Sequence, residues 1–293
     1  MRSWGNVSLW RKLFEPRILR RIFLERLTEP LHLNLIAAGV AIFGSFRQRV
    51  NFDLVVRQHN AYSILSAADR ALYYGVQSIT VVEFGVAAGA GLMNMCELAE
   101  RVSAATGVEI KVVGFDSGTG MPPPQGFRDH PELYQEGDFP MDFESLRAKL
   151  PSNGELILGP LRDTVEQFRE RRLDTMAPLA YVVIDVDYYS STVDALKIFD
   201  GPAEAYLPLT LVYLDDVALD HHNPFAGEEL AVCEFNDGHA HRKAVRHEFF
   251  ETSRIFRRAP WLKHIYFMHI MDHRMRAQGV SRATPIVLGN PHL

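Results

Sequence analysis

The sequence predicts an α/β protein: a doubly wound, mostly parallel sheet preceded by an N-terminal helical extension. Three observations carry this. Strand-like apolar runs alternate with helical patterns from residue 79 onward. The first strand runs through Thr80-Val-Val-Glu83-Phe-Gly85-Val-Ala-Ala-Gly89-Ala-Gly91, a glycine-rich turn that opens a helix. Four strands end in acids, which a parallel sheet would gather at its carboxyl rim, where such folds bind ligands.

Residues 1–30 interleave Arg2, Arg11, Lys12, Arg17, Arg20, Arg21 and Arg26 with Trp4, Trp10, Phe14 and Phe23, against Glu15, Glu25 and Glu29. Leu31 to Phe46 is mostly apolar, with His32 and Asn34 inside it. No small-x-small cleavage pattern precedes Arg47, and the run is short of the ~20 residues a spanning helix requires. Two readings stay open for residues 1–46. One is a helical cap packed on the domain or on a second subunit. The other is a basic amphipathic helix on an anionic membrane surface.

Phe52 to Gly75 reads as one helix, with Leu54, Val55, Ala61, Ile64, Leu65 and Ala68 near a 3.6-residue period and Gly75 as its stop. It completes an extension over residues 1–75. The main domain, 76–293, follows. Strands are expected at Ile79–Phe84, Ile110–Phe115, Leu156–Leu158, Leu179–Ile184, Leu209–Leu214 and Trp261–Met271. Helices are expected at Leu92–Val102, Thr164–Arg171, Thr192–Phe199 and Gly227–Phe235.

Composition narrows the function. At 293 residues and 47% hydrophobic, the chain suits one large α/β domain with additions. A net charge of −5 offers no global basic field for nucleic acid. Its two cysteines, Cys96 and Cys233, imply no disulfide framework, so a reducing cytoplasm is expected. Gly89-Ala-Gly91 is followed by Leu92, Met93 and Asn94, so the third glycine of a dinucleotide fingerprint is absent. That argues against a nicotinamide-dependent oxidoreductase.

Asp116 ends the second strand. Its carboxylate can accept both hydroxyls of a ribose, or it can form an Asx turn before the next glycines. A long loop, Ser117 to Asp142, carries Pro122–Pro124 and reads as a lid, an acceptor-binding segment or a surface connection. Tyr181-Val-Val-Ile-Asp185-Val-Asp187-Tyr-Tyr-Ser-Ser-Thr192 and Leu211-Val-Tyr-Leu-Asp215-Asp216 end neighbouring strands. Like charges gathered at one rim call for a cation, and oxygen ligands without cysteine suit Mg²⁺. Asp187 can then serve as general base. The alternative is that these aspartates cap helices, although Ser191-x-x-Asp194 makes Ser191 the better cap. His221-His222 is a second base or a solvated loop pair. His239, His241 and His247, among Arg242, Lys243 and Arg246, are a metal site or part of a solvated basic stretch. Tyr188 and Tyr189 stack on an acceptor ring or belong to the core.

Together, Glu83-Phe-Gly85-Val…Gly89, Gly114-Phe-Asp116-Ser…Gly120-Met-Pro122, Ile184-Asp185-Val-Asp187-Tyr-Tyr-Ser-Ser-Thr192 and Leu214-Asp215-Asp216 resemble the macrocin O-methyltransferase family. The resemblance covers roughly residues 60–240 in four ordered motifs. It implies a class I, S-adenosylmethionine-dependent O-methyltransferase on a seven-stranded sheet, commonly oligomeric, that uses Mg²⁺ to orient its acceptor. Carried over by position, Asp185, Asp215 and Asp216 would ligate the metal and Asp187 would be the base. Asp116, with Ser117 beside it, would hold the donor ribose, and the Glu83–Gly89 loop, including Gly85, would hold its methionine part. The metal geometry is more distantly similar to that of catechol O-methyltransferase. Two positions depart from the family. Pro160 stands where an aspartate near the adenine is usual, which shifts that role to Arg162 or Asp163. Val186 replaces a glycine between Asp185 and Asp187. A small-molecule acceptor with a sugar-like or phenolic hydroxyl is expected, although the proline-rich loop and the basic N-terminus suggest one unlike the family's known sugars. The remaining alternative is a donor-binding or membrane-associated scaffold without catalysis.

Overall fold

A computed structural model describes residues 26–218, 221, 223–278 and 289. The basic run before residue 26 lies outside the described residues, as does His222. Helix α1, Leu31–Phe43, has one buried residue, Ala37, while Leu31, Leu35, Ile36, Ile42 and Phe43 are exposed. Its stem is tied down firmly. The Arg26 guanidinium donates to the carbonyls of Phe52 and Asp53 and lies 4.0 Å from the Phe256 ring centroid. The Glu29 carboxylate accepts the backbone N–H groups of Arg257 and Arg258 at 2.7 and 2.8 Å.

The helix expected over 52–75 begins only at Gln58, and a separate short helix ends just before the expected start. A capping box between Ser45 and Gln48 opens α2, Phe46–Asn51, and α3 runs over Gln58–Tyr73. Between them Asp53 and Arg57 take positive φ of 52° and 51°, which no helix accommodates. Asp53 is held there by the buried Arg254 guanidinium, 2.7 Å from Oδ1. Periodicity could not show this break, because its cause lies two hundred residues along the chain.

Seven strands follow: β1 Ser78–Phe84, β2 Glu109–Asp116, β3 Gly154–Leu158, β4 Leu179–Ile184, β5 Tyr206–Leu214, β6 Arg242–Arg246 and β7 Ile265–Ile270. Their order is β3-β2-β1-β4-β5-β7-β6, with only the β5–β7 and β6–β7 pairings antiparallel. The intervening helices are α4 Ala90–Thr106, α5 Phe143–Arg147, α6 Leu161–Arg171, α7 Tyr189–Leu196 and α8 Gly227–Gly238; α9, Arg274–Gln278, closes the described chain. Consecutive residues of β1 feed opposite faces. Val81 packs with Ile64, Ala68 and Met95 of α3 and α4, and Val82 with Phe168, Leu196 and Phe235 of α6, α7 and α8. Both faces are therefore buried, which explains the near-continuous apolar strands. The register sets Phe84 beside Phe115 and Ile184, and Ile184 beside Leu214, so the acids that follow these strands share one rim.

β6 corrects an expectation. Arg242 to Arg246 is not a solvated stretch but the edge strand, with Ala244 and Arg242 buried. Arg242 bonds Asp272 and the carbonyls of Phe199 and Gly201, so its charge is satisfied inside the fold. A cationic edge also discourages pairing with another sheet. Among the described residues, no helix is long and apolar enough to cross a membrane.

Candidate active site

Each glycine of the β1–α4 turn has its own steric reason. Gly85 has φ +84°, and a Cβ there would lie 1.7 Å from the Asp185 carbonyl oxygen. The end of β1 can thus press against the end of β4 only through a glycine. Gly89 starts α4 at φ +83°. A Cβ on Gly91 would meet Glu83 Oε1 at 1.8 Å, so the glycine leaves a slot for that carboxyl under the first turn of α4. Glu83 is buried, and its Oε2 has no hydrogen-bond partner. Burial foremost, then the charge of Asp185, pushes its pKa up to about 8; Arg57 pulls the other way, and Asp116 and Asp215 add to the rise.

Asp116 does two things at once. Its Oδ1 accepts the Gly118 N–H at 2.7 Å, which is the Asx turn. Its Oδ2 accepts the N–H groups of Val86 and Ala87 at 3.0 and 2.9 Å, pinning the glycine turn to β2. Three of the four acceptor positions of this carboxylate are taken, so holding both hydroxyls of a ribose requires one backbone donor to yield. The Ser117 hydroxyl donates to the Gly120 carbonyl at 2.6 Å and accepts from Thr119, so it serves its own loop. Arg162 and Asp163 lie exposed on the first turn of α6, 3.9 Å apart.

The other half of the rim is acidic. The backbone N–H groups of Asp185 and Asp215 extend the strand ladder, donating to the carbonyls of Phe84 and Ile184. Tyr213 donates its hydroxyl to Asp215 Oδ1 at 2.9 Å. Asp216 is buried, its N–H donates to Glu228 Oε2 at 2.9 Å, and its Oδ2 has no hydrogen-bond partner. Burial and the neighbouring aspartates push Asp216 up to about 8 and Asp185 to about 7. Asp187 has φ 58° at the centre of a three-residue turn closed by the Tyr188 N–H on the Val186 carbonyl, 2.6 Å. Burial raises its pKa, and a hydrogen bond from Tyr134 opposes the rise.

Sequence reasoning missed several groups here. Tyr134 comes from the long loop and reaches Asp187 with no spacing to announce it. Glu228 is buried in the first turn of α8, and burial together with Asp216 raises its pKa well above the usual range. Arg57 acts on Glu83 and Asp185 from the start of α3. Asp129, also in the long loop, accepts both the N–H and the hydroxyl of Ser190, at 2.8 and 2.9 Å. That corrects the expected cap. α7 starts at Tyr189, Ser191 falls inside its first turn, and the stabilising carboxylate comes from elsewhere in the chain. Tyr188 is buried with its ring 6.1 Å from that of Tyr134. His221 lies 6.3 Å from the His130 ring.

The donor set fits a hard cation in its chemistry: several oxygen ligands, mutually repelling, with one buried oxygen of Asp216 unsatisfied. Among the described residues, no three His, Cys, Asp or Glu side chains are already drawn into an ion-holding group.

The strand order, the single antiparallel strand inserted beside β5 and the glycine turn at β1 define a Rossmann-like sheet of the methyltransferase type. The crystal structure of CalS11, a calicheamicin methyltransferase, shares it with a TM-score of 0.50 and 17% identity, over 88% of this chain and 94% of that one. At that identity the fold is what is shared. Weaker likenesses are to MycE, a methyltransferase of the mycinamycin biosynthetic pathway solved with Mg and SAH (TM-score 0.35, 13% identity, 70% of this chain and 48% of that one), and to the plantazolicin methyltransferase BpumL in complex with SAH (TM-score 0.31, 10% identity, 74% and 84%). No family model and no curated protein matches the sequence.

Proposed function

We propose that this chain is an S-adenosylmethionine-dependent O-methyltransferase of the macrocin O-methyltransferase kind, acting in the cytoplasm on a small-molecule acceptor with a sugar-like or phenolic hydroxyl. The observation that carries this reading is the position of Asp187. It sits in a strained turn at the end of β4, with a raised pKa, on the rim that also holds the glycine turn of β1 and Asp116 of β2. A base beside a donor crevice is what hydroxyl methylation needs. Asp187 takes the acceptor's proton, the acceptor oxygen attacks the sulfonium methyl in line, and the S–CH₃ bond breaks as the O–CH₃ bond forms. The products are a methyl ether and S-adenosylhomocysteine. Holding the two reactants in line supplies most of the acceleration. Asp185, Asp215 and Asp216 would hold Mg²⁺, whose charge would acidify the acceptor hydroxyl when bound. Titration calorimetry with S-adenosylmethionine, and separately NADH, tests the reading. Saturable binding of the first alone is expected; a folded protein that binds only NADH, or neither, overturns it.

One observation favours a second property. The exposed apolar residues of α1 follow directly on the basic run of residues 2–26, a pairing suited to an anionic bilayer surface. Full-length protein is expected to float with phosphatidylglycerol-containing vesicles and not with neutral ones. Leu35→Glu with Ile36→Glu is expected to abolish flotation. A stable dimer that fails to float would assign this face to a second subunit instead.

A further inference from the structure

We infer that Tyr213 is a positioning residue for Asp215: its ring, stacked on the imidazoles of His59 and His264, holds a hydroxyl that fixes the Asp215 carboxylate for cation binding. The inference deepens the proposed function and rests on the metal part of it.

The first observation is how the ring is held. Along β5, Val212 and Leu214 pack on the side of α6, α7 and α8, and Tyr213 turns to the side of α3, where it is buried. Two imidazoles stack on it. His59, in the first turn of α3, lies with its centroid 4.2 Å away and its plane 15° off parallel. His264, just before β7, lies 5.4 Å away at 20°. Rings stacked in this way resist the rotation that would carry the hydroxyl elsewhere.

The second observation is what the ring holds. Its hydroxyl donates to Asp215 Oδ1 at 2.9 Å. His264 Nδ1–H donates to the carbonyl of Leu214, the residue before, at 2.8 Å. The Asp215 N–H donates to the Ile184 carbonyl at 3.1 Å. The side chain, the N–H and the preceding carbonyl are thus all tied. A buried tyrosine needs only one partner for its hydroxyl; the two imidazoles and the second tie through His264 go beyond that need. The third observation is the kind of donor. A tyrosine hydroxyl is neutral, so it orients the carboxylate without cancelling its charge. An arginine or lysine in its place would spend that charge on an ion pair. Among the described residues, no Lys, Arg or His is ion-paired with Asp215.

Mn²⁺ binding to the full chain, read by electron paramagnetic resonance, tests this, with Mn²⁺ as the visible stand-in for Mg²⁺. Tyr213→Phe keeps the ring and its stacking and removes only the hydroxyl. It is expected to weaken Mn²⁺ by about tenfold, while S-adenosylhomocysteine, titrated in chelator, binds as it does to the unaltered chain. His264→Leu leaves the hydroxyl but removes one ring and the tie to Leu214. A smaller loss of Mn²⁺ affinity is expected there, and this variant decides the matter if Tyr213→Phe does not fold. Asp215→Ala should abolish the binding, which places the ion at this rim. Unchanged Mn²⁺ affinity in the deciding variant, or an equal loss of Mn²⁺ and S-adenosylhomocysteine, makes Tyr213 a packing residue and overturns the inference alone. An unaltered chain that binds S-adenosylhomocysteine but not Mn²⁺, or an Asp215→Ala variant that binds Mn²⁺ undiminished, overturns the inference and the metal with it and leaves the methyl donor in place. A chain that binds neither probe overturns the proposed function as well.

Discussion

Asp187 and Gly85 show how differently single residues serve this rim. Gly85 is steric: its absent Cβ would lie inside the Asp185 carbonyl, at positive φ. Gly107 has φ +80° too, but open space around it. We expect Gly107→Ala to cost about 1–2 kcal/mol, the left-handed penalty alone, and Gly85→Ala clearly more, because backbone must move as well. Urea unfolding of both variants gives the difference, and equal costs would remove the close-approach argument. Asp187 is chemical. Asp187→Asn should retain donor binding and lose turnover by about 10²–10⁴-fold, the usual worth of a general base; undiminished turnover would remove it from that role. Tyr134 tunes the same group. Its hydrogen bond favours ionised Asp187, so Tyr134→Phe raises the Asp187 pKa further. The acid limb of the pH–rate profile should therefore move to higher pH, and an unmoved limb would show that Tyr134 does not act on the base. The sequence made the aspartates legible because each closes an apolar strand. Tyr134 and Arg57 were illegible because their partners are brought to them by the loop and by the α2–α3 break, neither of which has a periodic signature.

At the scale of elements, the same boundary separates what could be read from what could not. β4 was placed correctly end to end, since a fully buried parallel strand is a continuous apolar run between breakers. β6 was missed because its pattern is cationic: Arg242 is buried through its bond to Asp272, a partner thirty residues away, rather than by hydrophobicity. The start of α7 was misread for a related reason. A local capping box on Ser191 is suggested by the sequence, yet Asp129 of the long loop, 61 residues away, supplies the bond. This long-range cap also docks the loop, since Asp129 Oδ2 accepts the Gln125 N–H at 2.7 Å as well. Asp129→Ala should cost about 1–2 kcal/mol, the worth of a good cap, and increase hydrogen exchange across residues 117–142 before global unfolding. Ser191→Ala should be close to neutral. The reverse ranking would restore Ser191 as the cap.

Across the whole molecule, alternation makes six of the seven strands legible, all but β6, whereas the electrostatic cost concentrated at the sheet's rim has no such signature. Glu83 is the penultimate residue of β1, Asp185 and Asp187 follow β4, Asp215 and Asp216 follow β5, and Glu228 comes from α8; Tyr134 of the loop and Arg57, the N-cap of α3, act on them. Glu83 and Asp216 are pushed up to about 8 and Asp185 to about 7, chiefly by burial. The unfolded chain would ionise the same groups near their ordinary values, about 4. Between about pH 4 and 8 the folded state therefore binds more protons than the unfolded one. The resulting stabilisation is complete below the unfolded values and is lost as pH rises through the folded ones. The thermal midpoint in chelator should thus fall from pH 5.5 to 8, opposite to a protein whose acids are salt-bridged. Asp216→Asn, which removes one buried charge at nearly constant shape, should flatten the fall and raise the midpoint most at pH 8. A cation held by Asp185, Asp215 and Asp216 would relieve the same repulsion, so millimolar Mg²⁺ should raise the midpoint more at pH 8 than at pH 6. A midpoint that stays level or rises with pH in chelator would show that these carboxyls are not desolvated as their burial implies. A falling midpoint that Mg²⁺ leaves untouched would keep the repulsion and remove the metal.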